Sequence, residues 1–392
     1  MRDDIMKLVF AHDHKLRKID GKYYTVGGLR DSITNRYMEF FDELTIFCRA
    51  IEKQQLDSQL FKIENPNIKV KPVSDGTLLL SRDVLEMMED EIKNADGLIV
   101  KLHSRIAEYA IHFAIKYNIP YLVEVVGNPW DSYWYHSIKG KLAAPIMTAS
   151  TKKEIKRAPF AMYVTEHFLQ ERYPCAGEWV SCSDVELDDM EESILQSRLK
   201  KINQMTDVLT IGTLAQVDLR YKGQEYVIRA LAKLKKEGRI YKYKMAGSGD
   251  HEYLKKIAIK NGVMNQIEFC GVLSHEAVFS WIDDIDLYIQ PSKAEGLPRS
   301  MVEAISRACP AAGADVGGIG ELIDTNWMFQ RGNVKNIANM LENITKDKLR
   351  CAAETNFNTA KSYDKNFLEK KRKDFYMRFA CYCRKTSDRL KR

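Results

Sequence analysis

Short apolar runs recur along the chain and alternate with helical stretches, the pattern expected when parallel strands are joined by crossover helices. In the first half the strand-like runs are MKLVFAH (6–12), LTIFCRA (44–50), GLIVKLH (97–103), PYLVEVV (120–126) and FAMYVT (160–165). A second series comprises VLTIGTL (208–214), YKYKMAG (241–247), QIEFCGV (266–272), DLYIQPS (286–292) and PAAGADV (310–316). Residues 185–206, between the two series, are polar with little apolar periodicity and read as an interdomain connection. The pattern predicts an α/β protein of two doubly wound, Rossmann-like domains, over 1–185 and 206–364, followed by a basic helix over 365–392. In such sheets ligands bind beyond the carboxyl ends of the strands, where this chain places its glycine-bearing loops.

One of those loops carries candidate chemistry. EGLPRSMVE, residues 295–303, sets Glu295 and Glu303 eight positions apart across a glycine loop and the start of a helix. Gly296 permits close backbone approach to a ligand, Pro298 suits the first helical position, and Met301, Val302, Ile305 and Ala308 form an apolar face. The positive end of that helix faces the space beside Glu295, so an anion site is flanked by hydrogen-bond acceptors. That combination suits a nucleotide-sugar. A solvated acidic loop ahead of an ordinary amphipathic helix leaves the same trace.

The surrounding motifs give the loop a context. PSKAEGLPRSMVEAISRACP resembles the donor-site motif of the GT-B glycosyltransferases of family 4. IGTL (211–214), YKG (221–223), AGSGD (246–250), IEFCGVL (267–273), DLYIQPS (286–292) and ADVGGIGEL (314–322) follow that family's order. The resemblance implies the GT-B fold, with the last helix crossing back onto the N-terminal domain, and transfer with retention of anomeric configuration. It also implies that Glu295 orients the donor sugar, that Glu303 accepts hydrogen bonds from the ribose, and that Lys222 holds the diphosphate. A charge-assisted bond of the last kind is worth about 1.5–3 kcal/mol. The same resemblance places Gly296, Leu297 and Gly247 near the donor and Leu273 beside the nucleobase. Gly28, with Gly27, would face the phosphates from the other domain, and Gly317 and Gly318, ahead of Glu321, would open a further helix toward the sugar. A family arginine usually stands where Thr213 does, and Arg220 or Arg299 are its candidate substitutes. Many members carry a histidine at the end of the strand matching PYLVEVV, whereas this chain continues GNPWDSYWYH. Asp131, His136, Glu124 and His103 are therefore the acceptor-side candidates, each with a structural role as its alternative. The aromatics at 130 and 133–135 form either a sugar-stacking platform or a core cluster.

Composition narrows the remaining classes. With 392 residues, 45% hydrophobic and 29% charged, the chain is long enough for two cores. It has no apolar stretch of bilayer length, and residues 1–30 lack a signal-peptide layout, so a cytoplasmic location is expected. Eight cysteines without a C-x-x-C pair predict reduced thiols and no metal framework. Asp284 and Asp286 form a D-x-D that reads as coincidental, and no metal or other cofactor is expected. Net charge is +6, yet residues 365–392 alone carry an excess of +8. Phe375, Phe379 and Tyr382 give this segment an aromatic stripe. It either docks on the protein or draws the enzyme to an anionic membrane face. With no recognition motif beside the basic excess, nucleic-acid binding is not expected.

The expected function is transfer of a sugar from a UDP- or GDP-linked donor to a glycan or polyprenyl-linked acceptor in surface polysaccharide synthesis at the inner face of the cytoplasmic membrane. A sugar-nucleotide 2-epimerase of the same fold and a non-catalytic sugar-nucleotide-binding protein are the alternatives.

Overall fold

The structure is a computed structural model that describes residues 5–26, 29–53, 60–74, 80–136, 138–185, 187–188, 190–206 and 208–390. Its first sheet contains β1 (Lys7–Ile19), β2 (Lys22–Thr25), β3 (Glu43–Glu52), β4 (Phe61–Lys62), β5 (Ile68–Ser74), β6 (Gly97–Leu102), β7 (Tyr121–Val125), β8 (Phe160–Tyr163) and β9 (Glu178–Ser181). Seven of these run parallel in the order β5-β3-β1-β6-β7-β8-β9, while β2 and β4 add an antiparallel fringe to the far end of β1. The second sheet holds β10 (Thr210–Leu214), β11 (Lys242–Ala246), β12 (Ile267–Gly271), β13 (Leu287–Gln290), β14 (Ala311–Ala314) and β15 (Met328–Phe329). It is parallel throughout, in the order β12-β11-β10-β13-β14-β15. Every one of the ten apolar runs became a strand. Their near-continuous hydrophobicity has its cause in burial on both faces: the successive residues Leu8, Val9 and Phe10, and Leu98, Ile99 and Val100, in one sheet, and Leu287, Tyr288 and Ile289 in the other, are all buried.

Both sheets reverse their strand order once, at β1/β6 and at β10/β13. Such reversals splay adjacent crossover loops apart and leave a crevice at the carboxyl ends of the strands. The site described below lies where these two crevices meet.

Two connections carry more structure than their sequence pattern shows. The polar stretch 185–206 contains a helix, Glu192–Asn203, packed on the second domain through Ile202 and Arg198. The Arg198 guanidinium is buried and donates to the carbonyls of Ile282 (2.9 Å) and Ile285 (2.6 Å), at the end of the helix His275–Asp284. A cation thus holds the position that an apolar residue would be expected to mark. The final helix, Lys365–Leu390, does cross back: the backbone N–H of Lys365 donates to the Leu187 carbonyl (3.0 Å), and the helix then lies on the first domain. Its buried line, however, is Leu368, Phe375, Phe379 and Cys383, with Tyr382 44% exposed at the edge. Phe160 meets the rings of Phe375 and Phe379 at 5.6 and 5.4 Å. Gly97 is required there, because a Cβ on it would stand 2.8 Å from the Cys383 sulfur. Several cations of this helix are matched by first-domain acids, including Lys373 with Glu39, Arg36 with Glu369 in the opposite sense, and Arg378 with Glu178 at 2.9 Å.

Candidate active site

The loops after β10 and β13 bring Lys222 and Glu295 together. Lys222 ends the short turn Arg220–Lys222, and its Nζ lies 2.8 Å from the Glu295 Oε1. Gln290, the last residue of β13, donates to the same oxygen at 2.8 Å while accepting from the Tyr288 hydroxyl at 2.5 Å. The carboxylate is therefore fixed by the sheet and by a cation. Gly296 follows it, and a Cβ at that position would come 2.4 Å from the Val126 carbonyl oxygen, so only glycine lets this loop lie against the end of β7. The Gly296 carbonyl in turn accepts from the Gly318 N–H at 2.6 Å.

Across this contact the first domain completes a cavity of about 350 Å³, whose walls include His103, Asn128, Asp131 and Tyr135 on one side and Lys222 and Glu295 on the other. His103 directly follows β6, at the strand-order reversal. Its Nδ1 is buried without a hydrogen-bond partner among the described residues, and its ring lies 5.5 Å from that of Tyr133. Burial lowers its pKa to about 4, against a smaller opposing pull from Asp13. The ring is therefore neutral at pH 7 and can accept a hydrogen bond from a sugar hydroxyl. Asp131 accepts from the Asn128 amide at 2.7 Å and lies 3.4 Å from the Arg331 guanidinium; burial raises its pKa in spite of that cation. Arg331 also donates to the Tyr135 hydroxyl (2.9 Å) and the Lys293 carbonyl (3.0 Å), so it ties the two domains together at the rim.

The neighbouring His12 is likewise held neutral, with burial and then Lys101 lowering its pKa to about 3. Between the ordinary value of 6.5 and these folded values the unfolded chain binds more protons than the folded one. Stability is therefore expected to fall as pH drops through that window, by on the order of 3 kcal/mol for each fully shifted ring. Denaturant midpoints measured from pH 7 to pH 4, in the parent and in His103→Gln, check this; an unchanged slope in the variant refutes the assignment to His103.

Known proteins resemble this chain in sequence and in fold. The family described as "Glycosyl transferases group 1" matches residues 206–347, the stretch that contains Lys222, Glu295 and Glu303. Protein CapJ of Staphylococcus aureus is 28% identical over 95% of this chain and 98% of its own length. The amylovoran biosynthesis glycosyltransferase AmsK of Erwinia amylovora is 26% identical over 41% of this chain and 44% of its own. Among solved structures, Anabaena HepE in complex with UDP superposes with a TM-score of 0.61 at 14% identity, covering 93% of this chain and 98% of that one. Residues 206–347 thus match the group 1 glycosyltransferases, and the whole chain has the GT-B fold.

The other described residues expected at the site lie outside the walls of this cavity. Thr213 is fully buried, and its hydroxyl is shared with the Tyr243 hydroxyl (2.8 Å) and the Ile289 carbonyl (2.7 Å), so it turns into the sheet and offers a donor nothing. Arg220 stacks on the Tyr253 ring at 4.4 Å, outside the walls of the cavity. Arg299 heads the helix Arg299–Ser306, with Pro298 as its N-cap rather than its first residue, and lines a second cavity beside Lys101, Glu124 and Arg372. Glu124 is buried and held by Lys101 (3.2 Å) and by the hydroxyls of Tyr37 (2.9 Å) and Tyr376 (2.7 Å); it is a structural carboxylate, not an acceptor base. Glu321 accepts the N–H groups of Glu166 (2.7 Å), His167 (3.0 Å) and Phe168 (2.7 Å), capping a first-domain helix instead of opening one toward a sugar. Glu303 is half-buried one turn inside its helix, Leu297 is buried, and Leu273 is half-buried beyond β12. Gly247 follows β11 and donates to the Gly271 carbonyl at 2.8 Å. Gly28 and the side chain of His136 lie outside the described residues. Arg331, Gln290 and Asn128 were not among the expected site residues; only the carboxamide at the end of the DLYIQPS strand carried a readable signal, as a polar residue closing an apolar run.

Proposed function

We propose that this enzyme belongs to family 4 and moves a hexosyl group, with retention and without a divalent metal, from a UDP- or GDP-linked donor to a glycan or polyprenyl-linked acceptor of a surface polysaccharide. The observation that carries the reading is the single cavity in which Lys222 and Glu295 face a neutral His103 and Asp131. Lys222 with the N-terminus of Arg299–Ser306 neutralises the departing diphosphate, the main electrostatic need of a transition state in which the sugar becomes cationic. In a retaining transfer the acceptor oxygen bonds to C1 on the face from which the phosphate oxygen departs. The acceptor's proton then passes to that oxygen, and the electron pair of the broken bond leaves with the diphosphate. His103 and Asp131 orient the hydroxyls. Asp284 and Asp286 do not converge as a metal site would require: the first pairs with Lys244 at 2.5 Å, and the second accepts the Thr210 N–H at 2.8 Å. The names of AmsK and HepE's bound UDP support a polysaccharide setting and a uridine donor. We place the reaction at the cytoplasmic membrane face; among the described residues no helix is long and apolar enough to cross a membrane.

A thermal-shift screen against nucleoside diphosphates and their sugars tests the donor. A ligand present at about a hundred times its Kd stabilises the fold by about 2.7 kcal/mol, and Glu303→Ala is expected to remove most of the shift with UDP. An undiminished shift refutes the ribose contact. Release of nucleoside diphosphate that requires an acceptor and persists in EDTA supports transfer without a metal. Interconversion of the sugar nucleotide alone identifies an epimerase, and stabilisation without turnover identifies a binding protein.

A further inference from the structure

The helix Ile138–Arg157 buries Ala144, Thr151 and Ile155 and turns its opposite face to solvent. On that face stand Ile138, Leu142 and Ile146, 82%, 77% and 73% exposed, the three most exposed large apolar side chains among the described residues. Their four-residue spacing keeps them in one line, and the same line continues into Lys153 and Lys156. Lys152 and Arg157 flank it, all four cations exposed. The face therefore changes along its length from apolar to cationic.

We propose that this face is a docking surface for a lipid bilayer bearing anionic headgroups, with the Ile138–Ile146 half entering the headgroup boundary and the Lys152–Arg157 half lying against the phosphates. Charge selects this occupant. The only acid on the helix, Glu154, is half-buried and receives the Ser150 hydroxyl at 3.3 Å, so a second copy of this face could set neither lysines nor arginine against a carboxylate. Beside the stripe, Trp130 and Trp134 stack at 5.3 Å and Lys141 lies 5.7 Å over the Trp134 ring, a pairing of indole and cation suited to the membrane–water boundary. The preceding helix, Pro129–His136, carries Asp131 and Tyr135 into the cavity, so docking here holds the cleft next to lipid-borne material. That last link rests on the proposed function; bilayer binding itself does not.

Co-sedimentation with vesicles of phosphatidylcholine, with and without phosphatidylglycerol, tests the proposal without donor or acceptor. The parent is expected to bind the mixed vesicles and to release them in high salt. Leu142→Ser with Ile146→Ser should weaken binding about a hundredfold, tenfold for each apolar side chain withheld from the bilayer. Lys152→Gln with Lys153→Gln should weaken it about twentyfold and remove the preference for phosphatidylglycerol. All four positions face solvent, so melting temperature and the UDP-induced shift should match the parent. Unchanged binding in the Leu142/Ile146 variant overturns the proposal. So does a parent that ignores vesicles and forms a dimer which that variant dissociates. Either failure leaves sugar transfer, read separately, unaffected.

Discussion

Lys222→Ala is expected to lower kcat/KM for sugar transfer about 10²–10³-fold, the usual cost of removing one preorganised donor from a developing negative charge. The loss should fall mainly on kcat, because the diphosphate gains charge as the glycosidic bond breaks and the interaction strengthens at that stage. The geometry adds a less obvious corollary. Without a donor, the Lys222 ammonium is bonded to Glu295 at 2.8 Å, so an arriving diphosphate must compete with a carboxylate for the same cation. Glu295→Gln removes that competitor and its repulsion. UDP alone should then bind as tightly as in the parent or more so, while transfer falls because the sugar loses its acceptor group. Calorimetric titration with UDP and initial rates of donor turnover separate the two effects. A Lys222→Ala enzyme that turns over at the parent's rate removes the lysine from the phosphate site, and a Glu295→Gln enzyme that loses UDP binding makes the carboxylate a nucleotide contact.

Glu295 and Lys222 were legible because both belong to loops closing strands whose burial on two faces writes a continuous apolar run. The strands that escaped notice lack that signature. β5, Ile68–Ser74, is an edge strand with lysines alternating along it, and β15 has two residues. The stretch 12–19 of β1 is largely polar although Lys15–Lys18 stay paired with β3, because there the strand also carries the β2 fringe and buries only Leu16 and Ile19. Arg331 was invisible for a different reason. Its partner Asp131 lies 200 positions away, and the pair exists only because two separately folded crevices face one another. Sequence periodicity reports how a segment meets its own core, not what a second domain brings to its rim.

Glu124 shows the same limit from the opposite side, since a carboxylate near the end of a cleft-facing strand reads as chemistry until its partners are known. Glu124→Ala is expected to destabilise the chain by about 3–5 kcal/mol, because it leaves Lys101 as an uncompensated cation in the interior. It also strands two buried phenol hydroxyls, those of Tyr37 and Tyr376. Burial alone would raise the Glu124 pKa, but Lys101 and the two hydroxyls more than reverse this and hold it below the ordinary carboxylate value. A depressed folded pKa means that the contribution is present above the unfolded value of 4.5 and is lost as pH falls below it, so the parent and variant should converge in acid. Tyr376 stands on the last helix, which gives the network a second consequence: Lys365–Leu390 loses a polar anchor to the first domain. Denaturant midpoints at pH 7 measure the first effect, and faster amide exchange along that helix measures the second. Glu124→Gln, which keeps an acceptor for the hydroxyls but not the charge, should fall between parent and alanine in stability. Its turnover per folded molecule should remain that of the parent; a stable glutamine variant that has lost transfer would return Glu124 to the chemistry.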